Sequence, residues 1–127
     1  MEQQVKSEKK KNLKYVHISS IQNRLFIIEK INSIIKERGS GATIPTEPCP
    51  TVTFWIDNTE KRVGFTVNRK NFKWGWVLNN TSKKWQPCSY MKGMGYDDEF
   101  NAEDDDFFNK VLLDNCHNNE VVNEILK

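Results

Sequence analysis

The sequence predicts an α+β fold: a four-stranded antiparallel meander packed on one face by an N-terminal helix and C-terminal helices. Three observations lead there. Residues 51–91 hold the only clean period-2 alternation of apolar and polar side chains, together with all four tryptophans (Trp55, Trp74, Trp76, Trp85). Residues 21–38 repeat isoleucine at helical spacing ahead of Gly39. Residues 107–126 return to helical spacing behind an acidic run.

Residues 1–12 (MEQQVKSEKKKN) are polar and lysine-rich, with almost nothing to bury, and are expected to form a disordered basic arm. Residues 13–127 then make a single α+β domain, a size at which about two-thirds of the unfolded surface is buried. No apolar stretch approaches the roughly 20 residues that span a bilayer. The lysines at the N-terminus have no apolar run behind them, so no signal peptide is expected, and the compartment read from this is cytoplasmic or nuclear.

Leu13 to Ile18 reads as a short strand, with Tyr15 and His17 on one side and Val16 and Ile18 on the other. Ser19 or Ser20 can cap a helix that runs to Arg38, and Gly39 suits the left-handed residue that ends it. Its apolar stripe is Ile21, Leu25, Ile28, Ile31, Ile34 and Ile35, with Glu29, Lys30, Lys36 and Glu37 toward solvent. Residues 39–50 (GSGATIPTEPCP) carry two glycines and three prolines and serve as the crossover to the sheet.

In the meander, turns at Asp57–Lys61 and Arg69-Lys70 give three wholly apolar cross-strand rows. These are Val52, Val67 and Phe72; Phe54, Phe65 and Trp74; and Ile56, Val63 and Trp76. A turn at residues 79–82 puts Trp85 beside Trp76 on the same face. The opposite face then carries Trp55 over Gly64 and Gly75, surrounded by Thr53, Arg62, Thr66, Lys73, Lys84 and Gln86.

Behind a glycine turn at 91–96 come Asp97-Asp98-Glu99 and Glu103-Asp104-Asp105-Asp106. The second group sits where a helix carrying Phe107, Phe108, Val111 and Leu112 begins. Carboxylates there favour the positive helix end, so capping and solvation explain them better than Mg²⁺ or Ca²⁺ binding. A last helix over residues 119–126 offers Val121, Val122, Ile125 and Leu126.

The α-β-β-β-α order is similar to that of double-stranded-RNA-binding domains. That family opens its second helix with lysines, where this chain has four acidic residues in a row. Three cysteines (Cys49, Cys88, Cys116), odd in number and irregular in spacing, read as free thiols and not as a disulfide framework or zinc site.

Charge is unevenly spread. Residues 51–96 hold eight Lys/Arg against two Asp/Glu, whereas residues 97–127 hold two against ten. No nucleophile–base pair or metal set stands out, so neither catalysis nor a cofactor is expected. The expectation is a binding protein whose partner-binding residues are Trp55, Arg62, Lys73, Lys84 and Gln86, four cationic or polar side chains around one indole. Its partner is an acidic macromolecule, with nucleic acid first and an acidic protein surface next. The alternative is a small protein–protein interaction module docking through aromatic anchors. A metal-dependent enzyme using residues 97–106 comes last.

Overall fold

Among the described residues five strands, not four, form the sheet. β1 (Leu13–His17), β2 (Thr51–Asp57), β3 (Arg62–Arg69), β4 (Phe72–Leu78) and β5 (Trp85–Pro87) lie in that order, each antiparallel to the next. The short N-terminal strand supplies the fifth by pairing Tyr15 with Trp55 and His17 with Thr53. This computed structural model describes residues 13–39, 43–91, 93, 96 and 100–126. The basic arm at 1–12 and Asp97-Asp98-Glu99 lie outside the described residues.

Among the described residues three helices cover one face: α1 (Ile21–Arg38), α2 (Ala102–Cys116) and α3 (Glu120–Ile125). Ser20 caps α1 by accepting the Asn23 amide, and Gly39 closes it at φ 67°, donating its N–H to the Ile35 and Lys36 carbonyls. The buried stripe is Ile27, Ile28, Ile31, Ile34 and Ile35. Ile21, expected in that stripe, is the first residue of the helix and is 57% exposed. After α1 the crossover is pinned. Asn32 donates to the Ile44 carbonyl at 2.9 Å and accepts the Ile44 N–H at 2.6 Å, which seats Ile44 in the core.

The first hairpin has the expected register, pairing Phe54 with Phe65, Ile56 with Val63 and Val52 with Val67. The second is offset by two residues. Arg69 pairs with Phe72 across a Lys70-Asn71 loop, so Phe65 meets Trp76 and Val67 meets Trp74. A slide of two keeps every side chain on its face and leaves its paired rows apolar except for Arg69 opposite Phe72, so periodicity alone does not separate the two registers. Likewise Trp85 pairs with Leu78, and Pro87 takes the place opposite Trp76.

The aromatic core follows from this register. Phe65 lies 5.4 Å from the rings of Trp76, Trp85 and Phe108, and Phe100 stacks on Phe108 at 5.0 Å. Buried indoles need partners for their N–H groups. Trp74 Nε1 donates to the Tyr96 hydroxyl at 3.1 Å and Trp85 Nε1 to Asn109 Oδ1 at 2.8 Å.

The start of α2 corrects the sequence reading of the acidic run. Asn101, not a carboxylate, is the cap, accepting the Asp104 amide at 2.8 Å. Asp104 and Asp105 are 6% and 4% exposed, not solvated. Buried carboxylates require partners. Asp104 pairs with Lys30 at 3.0 Å, which draws that lysine away from the solvent position expected for it. Asp105 accepts the Trp85 N–H at 3.0 Å and Lys84 Nζ at 2.9 Å, fastening α2 to the start of β5.

Candidate functional site

The face of the sheet opposite the helices holds an open concavity of about 610 Å³. It is lined along β1 by Leu13, Tyr15 and His17, and along β2 by Thr53, Trp55 and Asp57. From β3 come Arg62, Thr66 and Asn68, and beyond them Lys73, Cys88 and Tyr90. Strand alternation places all but the last two on this face, because Val52, Phe54, Ile56, Val63, Phe65 and Val67 occupy the other one.

Two glycines let large rings come close to the backbone. A Cβ at Gly64 would collide with the Trp55 indole and stand 2.6 Å from the Trp76 carbonyl. The indole therefore covers Gly64, as the sequence suggested. It does not cover Gly75, which the two-residue slide places across from Thr66. Tyr90 and Cys88 fill that space instead: a Cβ at Gly75 would collide with the Tyr90 hydroxyl and stand 3.0 Å from Cys88 Sγ. Sequence reasoning missed Tyr90, since it lies in the single 3₁₀ turn Ser89–Met91 after β5, outside any alternation.

The groove is aromatic on both flanks. Tyr15 is 58% exposed and stacks on His17 at 6.4 Å, with the rings 11° apart; Tyr90 is 46% exposed on the other flank. Between them the surface is polar. His17 Nδ1 and Thr53 Oγ1 are 2.9 Å apart, and Asn68 Nδ2 donates to Thr66 Oγ1 at 3.4 Å.

Two of the three expected cations, Arg62 and Lys73, line this groove. Lys73 Nζ lies 5.5 Å from the centre of the Tyr90 ring. Burial pushes the Cys88 thiol up, and the hydrogen bond from Tyr90 and the positive charges of Lys73 and Arg62 pull against it. Tyr90 is itself pushed up to about 12, by burial first and then by its charge interaction and hydrogen bond with Cys88. Asp57, the one carboxylate among the described lining residues, spends an oxygen on its own turn, accepting the Thr59 and Glu60 amides at 3.0 Å.

Lys84 does not join them. It precedes β5, and Lys83 just before it adopts φ 62°, so the alternation that would have put Lys84 on the open face has not begun. Its Nζ reaches Asp105 and the Phe100 carbonyl on the helix side. Gln86 lies opposite Val77, in the row that runs through Gly64, Trp55 and Tyr15, but does not line the concavity.

The three cysteines are free. Among the described residues no three His, Cys, Asp or Glu side chains gather as a metal site requires, and no helix is long and apolar enough to cross a membrane. No family model, curated protein or solved structure matches this chain.

Proposed function

We propose that this is a non-catalytic binding protein whose open sheet face takes an acidic partner, and that the partner is nucleic acid. The observation that supports this reading is that Arg62 and Lys73 both line a groove bordered by Tyr15, Trp55 and Tyr90. Cations neutralise phosphates, and aromatic rings on a sheet give bases a surface to stack on. The helix-side lysines Lys30 and Lys84 pair with Asp104 and Asp105, whereas Arg62 and Lys73 line the groove.

Binding of a labelled mixed-sequence oligonucleotide, measured over a salt series, tests the proposal. Affinity should fall as salt rises, and Arg62→Ala or Lys73→Ala should flatten that dependence by about 0.7–0.9 of a unit in the log–log slope. Trp55→Ala, shown to be folded by circular dichroism, should cost about 1–3 kcal/mol of affinity with the slope unchanged. A triple variant at Trp55, Arg62 and Lys73 that is folded and binds like the parent would sink the proposal. An apolar protein interface, the rival reading, would show little salt dependence at all.

A further inference from the structure

Resting on that reading, we infer that the groove is a single-strand site that seats about three unpaired nucleotides, with a phosphate handle at each end, and that it is not a surface for duplex. The strand register sets the length. Asp57 and Arg62 form the row at one end, and Asn68 and Lys73 the row at the other. Between them lie the row of Trp55 and Gly64 and the row of Thr53 and Thr66. Four rows enclose three intervals of two residues, about 20 Å along the strands. An unstacked strand, at roughly 6 Å per nucleotide against 3.4 Å when stacked in duplex, covers that span in about three nucleotides.

The choice of single strand follows from what the groove offers. Tyr15, Trp55 and Tyr90 present rings, and a ring is useful only to a base whose face is free. In a duplex those faces are stacked on one another, and recognition falls to phosphate contacts spread over a long footprint. Among the described residues this groove has two cations, few for that mode. It does have short polar side chains in an inner row and at one end, Thr66 and Asn68, beside the buried Thr53.

Fluorescein-labelled oligothymidylates of two, three, four, six and twelve residues, together with a twelve-base-pair hairpin, separate the possibilities by anisotropy. Affinity should rise steeply to about three residues and then grow only with the number of ways the site can be placed on the strand. The log–log salt slope should be about −1.4, the value for two phosphates on a single strand. The hairpin stem should bind at least about tenfold more weakly than the six-residue strand. Because Trp55→Ala can disturb Gly64, a second readout uses the unmutated groove: six thymidylates should slow alkylation of Cys88 by iodoacetamide, followed by peptide mass spectrometry. Hairpin binding equal to that of the single strand, affinity still climbing steeply to twelve residues, or Cys88 left unprotected would each overturn the single-strand site while leaving nucleic-acid binding intact. Absence of binding to every oligonucleotide at low salt would instead overturn the proposed function itself.

Discussion

The two faces of the sheet are built from the same kinds of side chain and use them differently. On the helix side, Lys30 and Lys84 meet Asp104 and Asp105, and the rings of Phe65, Trp76, Trp85 and Phe108 close on one another. On the open side, Arg62 and Lys73 border a groove, with the exposed Tyr15 on one flank and the half-exposed Tyr90 on the other. An aromatic or a lysine therefore says little by itself; which face it reaches decides whether it holds the fold together or remains available. The charge asymmetry of the sequence divides in the same way. Part of the basic excess of residues 51–96 is spent internally on the acidic start of α2, and part is left on the groove.

The sharpest way to break this contrast is to delete one ring from each face. Phe65→Ala removes the centre of the aromatic core and should lower stability by about 3–5 kcal/mol. Trp55→Ala, on a half-buried indole, should lose no more than about half of that. Urea midpoints that move equally would mean that the open face is as tightly packed as the core.

The next contrast is between lysines. Asp105→Ala leaves the buried Trp85 N–H without an acceptor and Lys84 without its carboxylate, and should cost about 2–3 kcal/mol in thermal or urea unfolding. Lys84→Met should reduce stability as well, yet leave the salt dependence of oligonucleotide binding where it was. Arg62→Ala should do the reverse. A flattened salt slope in folded Lys84→Met would return Lys84 to the contact surface.

The smallest expected effect is at alkaline pH. Tyr90 is raised from 10.0 to about 12 in the folded protein. Below pH 10 both states keep the proton and stability is unaffected. Between about pH 10 and 12 the unfolded chain releases it and the folded chain does not, so stability declines with rising pH. Tyr90→Phe should therefore show a shallower alkaline decline in melting temperature; an unchanged slope would place Tyr90 in open water.

The faces were legible in the sequence because period-2 alternation reports them directly, and Val52, Phe54, Ile56, Val63, Phe65 and Val67 lie where that pattern puts them. Helix α1 was legible through its caps, Ser20 and Gly39. The β3–β4 register was not, since a two-residue slide leaves the pattern unchanged and moves only which partners meet. Lys84 and Tyr90 escaped for a related reason: each sits just outside a strand, where one left-handed residue or one 3₁₀ turn decides its direction. The burial of Asp104 and Asp105 was hidden because their partners, Lys30 and Lys84, are distant in sequence.

The distribution of tryptophans has an optical consequence. Trp74, Trp76 and Trp85 are buried, two of them with their indole N–H groups bonded to other side chains, while Trp55 borders the groove. Indole emission shifts to the red and becomes open to collisional quenchers as water reaches the ring. The red edge of the protein's fluorescence therefore belongs mainly to Trp55, and acrylamide added to the native protein should remove that edge first. A ligand seated in the groove would shield the same component, so the protein carries its own reporter, in which the blue part of the spectrum follows the fold and the red part follows the site.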